Sequence, residues 1–205
     1  MERGLVLSCN AYFAQLGKFA VGAQRLLDAA ARFGIRVAVP NTVKQLNDAL
    51  PQASYGQGQV VASPLQMARV AAAIGNGGSI LPVRIDLRSA VPAPDSCLTS
   101  QQAAILSRHL RRAVTEGTGT AAAGSSVPVA GKTGTAEVRN QPAHAWFVGF
   151  APYGSLKKIA FAILMENARY GGRAAAPAAA EIADAAAALG LFRQSRAGAG
   201  DGILE

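Results

Sequence analysis

Two short clusters hold residue types that could do chemistry. The first is Lys132-Thr133-Gly134-Thr135, inside a segment that reads as a β-strand. By the two-residue period, Lys132 and Gly134 share one face and Thr133 and Thr135 the other. A cation with two hydroxyls can hold a carboxylate, and the glycine lets another backbone approach closely. The arrangement suits an extended peptide lying beside the strand with its carboxylate near the hydroxyls. The same four residues also suit an ordinary edge strand with a solvated lysine and a bulge at Gly134. The second cluster, Ser8-Cys9-Asn10, opens a helix. Serine is a common N-cap and asparagine is unremarkable there, so the triplet alone decides nothing. His109 lies among arginines on a helix and His144 just precedes a strand; both read as surface or hydrogen-bonded histidines rather than general bases. No Cys/His spacing suggests a metal site.

The elements that must position these clusters follow from periodicity. Residues 4–34 read as helical, with Gly17 and Gly22 dividing the segment and Gly34 as a C-cap. Residues 35–62, with Pro40, Pro51 and Tyr55-Gly56-Gln57-Gly58, read as a long, loop-rich connection. There Gln57 and Gly58 suit either a cleft wall or plain loop structure. Ser63-Pro64 opens a helix to Gly75 that is apolar on nearly every side and should be buried. Residues 80–87 suggest a short strand, and Pro92 and Pro94 a loop. Thr99 or Ser100 caps a helix to about Glu116, with Ile105, Leu106, Leu110 and Val114 inward and the arginines outward. Val127–Glu137, Ala145–Ala151 and Lys158–Met165 read as three strands, the last two joined by the turn Pro152-Tyr153-Gly154-Ser155. Gly171-Gly172 leads into an alanine-rich helix ending at Gly190, and residues 195–205 read as a flexible tail. Helices first and a strand meander later give an α+β fold, an antiparallel sheet flanked by helices.

Composition excludes several classes. With 205 residues, 50% hydrophobic and 16% charged, the chain is one domain's worth and too apolar to be disordered. The longest wholly apolar run, Ile159–Met165, is far short of a membrane span. The four residues Gly4–Leu7 before Cys9 are too short for a secretory core, so neither a signal nor a transmembrane segment is expected. Two cysteines exclude a disulfide-dense scaffold. The net charge of +8 is spread evenly and aromatics are only 6%, which argues against nucleic-acid binding.

Taken together, the motifs resemble the transpeptidase domain of penicillin-binding proteins. The match rests on Ser8-Cys9-Asn10 with Tyr12-Phe13, Tyr55–Ala68 (YGQGQVVASPLQMA), Asn76-Gly77-Gly78, Glu116-Gly117-Thr118-Gly119, Gly131–Glu137 (GKTGTAE) and Ala145–Pro152 (AWFVGFAP), in the family's order and over nearly the whole chain. The pairing of S-x-N with K-T-G is a mechanistic signature of that family. The segment Gly-Gln-Gly…Ser-Pro-Leu-Gln-Met places the likeness nearer to the monofunctional division and elongation type than to serine β-lactamases.

The resemblance implies a peptidoglycan D,D-transpeptidase that cross-links stem peptides through an acyl-serine. Ser8 would shuttle a proton to the leaving group, Asn10 would hold the substrate amide, and Lys132 would hydrogen-bond Ser8 and supply positive potential. Thr133, Gly134 and Thr135 would bind the substrate: the two hydroxyls the carboxylate, and the Thr135 N–H one half of the oxyanion hole. Cys9 would be a packing residue. The ligand would be a stem peptide or a β-lactam, with no cofactor, metal or nucleic acid. The parent protein would be anchored at the extracytoplasmic face of the bacterial membrane beside cell-wall partners.

One family motif departs. The family's nucleophile sits in S-x-x-K well before S-x-N, yet only seven residues precede Ser8. The one S-x-x-K string, Ser155-Leu156-Lys157-Lys158, falls in a hairpin turn away from the cleft. Residues 1–194 are therefore expected to be a partial domain, incomplete at the N-terminus and inactive alone, with apolar surface exposed near Leu7–Phe33. A non-catalytic or degenerate peptide- or β-lactam-binding module, or a related serine hydrolase or sensor, remains the alternative.

Overall fold

Helix α1 (Glu2–Val6) and helix α2 (Asn10–Leu16) open the chain, and α2 runs on into a π-helical turn over Gly17–Val21. The computed structural model describes residues 1–86, 88, 90 and 93–192, so the tail expected over 195–205 and Pro92 lie outside the described residues. Gly22, at φ +80°, breaks the run as its type allows and starts α3 (Ala23–Ala31). Leu7 and Phe19 are exposed, 54% and 83%, in line with the apolar surface expected there.

The connection expected to be loop-rich over 35–62 holds a helix instead, α4 (Val43–Ala53). The Thr42 hydroxyl caps it by accepting from the Gln45 N–H. Leu46, Leu50 and Ala53 form a stripe at i, i+4 and i+7 that packs on Ala23, Val37 and Ala38. Pro51 removes one helical hydrogen bond near the end of α4, and the burial of the stripe outweighs that loss.

Helix α5 (Pro64–Gly75) starts at a full capping box between Ser63 and Gln66. Its apolar composition predicts burial on nearly every side, yet only Ala71 and Ala73 are buried and Leu65 is 56% exposed. One face meets the sheet and the opposite face meets solvent. The strand expected over 80–87 shrinks to β1 (Ser79–Ile80), paired antiparallel with β2 (Asp95–Ser96). Val83 and Ile85 are exposed, so no core rewards an extension, and Pro82 cannot donate to a ladder.

Helix α6 (Ser100–Thr115) begins at a second capping box, Thr99 with Gln102. Leu110 and Val114 are buried as expected, while Ile105 and Leu106 are half-buried. Not every arginine faces outward: Arg111 is half-buried and donates to the Val129 carbonyl at 2.6 Å. A 3-10 turn over Thr120–Gly124 leads to β3 (Ala130–Val138), β4 (Gln141–Ala151) and β5 (Ile159–Met165), an antiparallel meander in that order. The register pairs Lys132 with Val148 and Phe147 with Ile163. Helix α7 (Ala175–Ala188) closes the described chain, with Gly190 at φ +72° behind it. Its alanines pack on Phe147, Phe161 and Val129 in the main core. The result is the α+β fold expected from sequence, with β3 on an edge of the sheet.

Candidate functional site

A groove of about 550 Å³ runs along that edge. One wall is β3 and the segment Tyr170-Gly171-Gly172; the other is Ser8, Asn10 and Phe13 with Ser54, Tyr55 and Gln57 from the end of α4. All six residues singled out in the sequence, Ser8, Asn10, Lys132, Thr133, Gly134 and Thr135, line this groove. A hydroxyl near the start of the chain thus lines the same groove as a lysine on the sheet.

Local structure explains the meeting. Ser8 sits between α1 and α2 at φ 56°, a left-handed conformation that non-glycine residues seldom adopt outside constrained sites. The Ser8 N–H donates to Leu5 O at 3.2 Å and the Cys9 N–H to Gly4 O at 2.8 Å, which fixes the turn. Helix α1 is tied to α6 by Glu2, whose carboxylate pairs with Arg112. At the other end of α1, a Cβ on Gly117 would overlap the Val6 carbonyl. Ser8 follows that contact by two residues and Thr118 follows Gly117 by one, so a single close approach sets both. On the far wall, a Cβ on Gly171 would overlap the carbonyls of Gly134 and Trp146, so this segment lies directly on the sheet backbone.

The Lys132 ammonium donates to Thr118 Oγ1 at 3.1 Å, to Thr133 O at 3.0 Å and to Thr133 Oγ1 at 3.3 Å. The two threonine hydroxyls lie 2.5 Å apart. Burial lowers the Lys132 pKa to about 8, so it remains mostly charged at neutral pH. Each hydroxyl has one proton, and their mutual hydrogen bond uses one of the two. The other is left to donate into the groove beside a positive charge, a pair that recognises a carboxylate.

The hydrogen bond implied between Lys132 and Ser8 is not present. A buried ammonium takes its nearest acceptors, here the two threonines, and Ser8 and Asn10 have no side-chain partner among the described residues. The expected division into two strand faces also bends: the flexible lysine stem carries Nζ round to Thr133 Oγ1. Two carbonyls of β3 are occupied by side chains, Thr133 O by Lys132 Nζ at 3.0 Å and Thr135 O by Gln57 Nε2 at 2.8 Å.

Other readings are resolved by position. Ser155 Oγ donates to Lys157 O at 2.9 Å in the hairpin turn, while Lys158 Nζ donates to Gly75 O at 2.8 Å, so the serine and the lysine of this S-x-x-K string are directed to different carbonyls and neither lines the groove. His144 Nδ1 accepts from the Asn167 N–H at 3.0 Å, a satisfied histidine as expected. His109 is neither surface nor satisfied. It is 4% exposed, its Nδ1 has no hydrogen-bond partner, and burial and then Arg108 hold its pKa down. Cys9, expected to pack, is exposed at the N-cap position of α2. Thr118 joins the site although it is not among the residues expected there, and Gln57, which suits either a cleft wall or plain loop structure, lines the groove. Thr118 lay inside the quoted Glu-Gly-Thr-Gly motif, a usable signal; Gln57 gave only a position between two glycines. Among the described residues no group of His, Cys, Asp and Glu could hold a metal ion, and no helix is long and apolar enough to cross a membrane.

A model of the penicillin binding protein transpeptidase domain matches residues 1–184. The chain belongs to this family. It is 35% identical over 218 residues to the peptidoglycan D,D-transpeptidase PbpA of Mycobacterium tuberculosis, covering 91% of this chain and 43% of that protein. The structure of penicillin-binding protein A from M. tuberculosis as an imipenem acyl-enzyme complex superposes with a TM-score of 0.72 at 32% identity, over 90% of this chain and 46% of that one. Penicillin-binding protein PBP2 from Helicobacter pylori, at 22% identity and a TM-score of 0.79, shares the fold over 92% of this chain and 40% of its own. The chain therefore spans less than half the length of these relatives.

Proposed function

We propose that the groove binds the acyl-D-alanyl-D-alanine end of a peptidoglycan stem peptide, or a β-lactam in its place, as the substrate-recognising part of a serine D,D-transpeptidase. The observation that carries this reading is the Lys132–Thr118–Thr133 cluster, which supplies a cation and a free hydroxyl proton on an open strand edge that Ser8 and Asn10 face. The terminal carboxylate sits at the threonines and the peptide runs along β3. The Thr135 N–H contributes to the oxyanion hole.

The acylating serine lies outside these 205 residues. Its oxygen bonds to the penultimate D-alanine carbonyl carbon and its proton passes, by way of Ser8, to the departing D-alanine nitrogen as that C–N bond breaks. The amine of a second stem peptide then takes the acyl group and releases the serine. Residues 1–194 are one partial domain in this reading, and the work takes place outside the cytoplasmic membrane, where peptidoglycan is built.

Titration of the 205-residue chain with N-acetyl-D-alanyl-D-alanine tests it. Lys132→Ala is expected to weaken binding about tenfold to a hundredfold, the range for a charge-assisted contact. Fluorescent penicillin is expected to form no covalent adduct. Equal binding by the variant removes the groove assignment; a stable adduct removes the assignment of catalysis to a serine elsewhere and turns attention to Ser155.

A further inference from the structure

Gln57 occupies an atom that an extended ligand needs. A peptide laid against an edge strand gains affinity by pairing its N–H groups with the strand's outward carbonyls. On β3 those include Thr135 O, and Gln57 Nε2 already donates to it at 2.8 Å across 78 positions of sequence. A glutamine side chain ends in a primary amide, so it presents to Thr135 the same donor as a peptide bond. Its presentation is built rather than incidental. Gly56 and Gly58 adopt φ +83° and +75°, a pair of left-handed turns that leave Gln57 projecting between them. The Gln57 N–H donates to Gln52 O at 3.0 Å, which anchors the loop to the end of α4. That end is itself seated: a Cβ on Gly17 would overlap the Ser54 hydroxyl.

We propose that Gln57 is an internal competitor for the substrate amide, holding the Thr135 carbonyl until a ligand N–H displaces it. The proposal rests on the reading of the groove as a peptide site. Its consequence is selective: a ligand that brings an N–H must exchange with Gln57, whereas a ligand that brings only a carboxylate leaves Gln57 in place. The residue thus weakens capture of peptides without changing the carboxylate pocket, and keeps the edge carbonyl satisfied when the groove is empty.

The experiment titrates the 205-residue chain and its Gln57→Ala and Gln57→Leu variants with two probes. One is N-acetyl-D-alanyl-D-alanine; the other is the same dipeptide methylated on both nitrogens, which keeps the carboxylate and has no N–H. Both variants are expected to bind the first probe about three- to tenfold more tightly, the range for one net hydrogen bond, and the second with less than about a twofold change. Gln57→Leu keeps the volume of the side chain, so agreement between the two variants separates the lost donor from a vacated space. If wild type binds in a Lys132-dependent way and the variants gain nothing, or gain equally for both probes, the competitor role is overturned and the groove reading stands. If no form binds either probe, or Lys132→Ala changes nothing, the groove reading falls and the competitor role falls with it.

Discussion

Lys132 carries the electrostatics of the groove, and its lowered pKa gives two trends of opposite sign. Its charge is needed to hold a carboxylate, so affinity for N-acetyl-D-alanyl-D-alanine is expected to fall as pH rises through about 8. Stability moves the other way. The unfolded chain keeps the lysine proton up to its ordinary value near 10.5, so between about 8 and 10.5 the unfolded state binds more protons than the folded one. Folding stability therefore gains a contribution on raising the pH across that window, and the burial penalty is fully present below it. Binding isotherms and denaturant melts at pH 7 and 9.5 check both. Binding that stays constant to pH 9.5 would mean that the threonine hydroxyls alone recognise the ligand. The Thr118 contact also shows the limit of reading residues from sequence. Lys132, Thr133 and Thr135 were legible because they are contiguous on one strand. Thr118 approaches them only because the turn after α6 passes against Val6 at Gly117, and that requires knowing where α1 packs.

At the scale of elements, local signals proved sufficient where the local chemistry is complete. The capping boxes at Ser63 and Thr99 and the glycine at position 22 each depend on residues within a few positions of one another, and each strand of the meander shows as its own short run bounded by turn residues. Helix α4 was not legible, because Pro51 and the nearby turn residues argue for a loop and only the burial of Leu46 and Leu50 against another segment overrides them. Gln57 was ambiguous for the same reason: its partner is 78 residues away. The segment over the sheet gives a direct test of how elements shape the groove. Gly171 has no room for a methyl group, since its Cβ would overlap two backbone carbonyls, neither of which can rotate away. Gly171→Ala is expected to cost about 1–3 kcal/mol in denaturant unfolding and to lift Tyr170 and Gly172 from β3, weakening ligand binding. A variant with wild-type stability and affinity would show that this wall is not seated on the sheet.

Across the whole molecule, the groove lies between cores of unequal size. One wall rests on the sheet core, built around Phe147, Phe161, Val114 and the alanines of α7. The opposite wall hangs on the smaller cluster of Ala23, Val37, Ala38, Leu46, Leu50 and Ala53, which holds no aromatic ring. Less buried apolar area means a smaller free energy of local opening. Native-state hydrogen exchange should therefore find the amides of α3 and α4 opening at lower free energy than those of β4, which is paired on both sides. Leu50→Ala, expected to cost about 2–5 kcal/mol, should accelerate exchange in α3 and α4 while leaving Phe147 and Phe150 protected. Equal loss of protection in β4 would mean that the two cores unfold as one unit. The asymmetry bears on recognition. The groups that hold the carboxylate stand on the stable wall, whereas Ser54, Tyr55 and Gln57 stand on the labile one. A ligand that bridges both walls then binds most tightly to the closed form, and its binding should slow exchange in α4 more than in β3. Slowing confined to β3 would place the ligand on the strand edge alone, out of reach of the opposite wall.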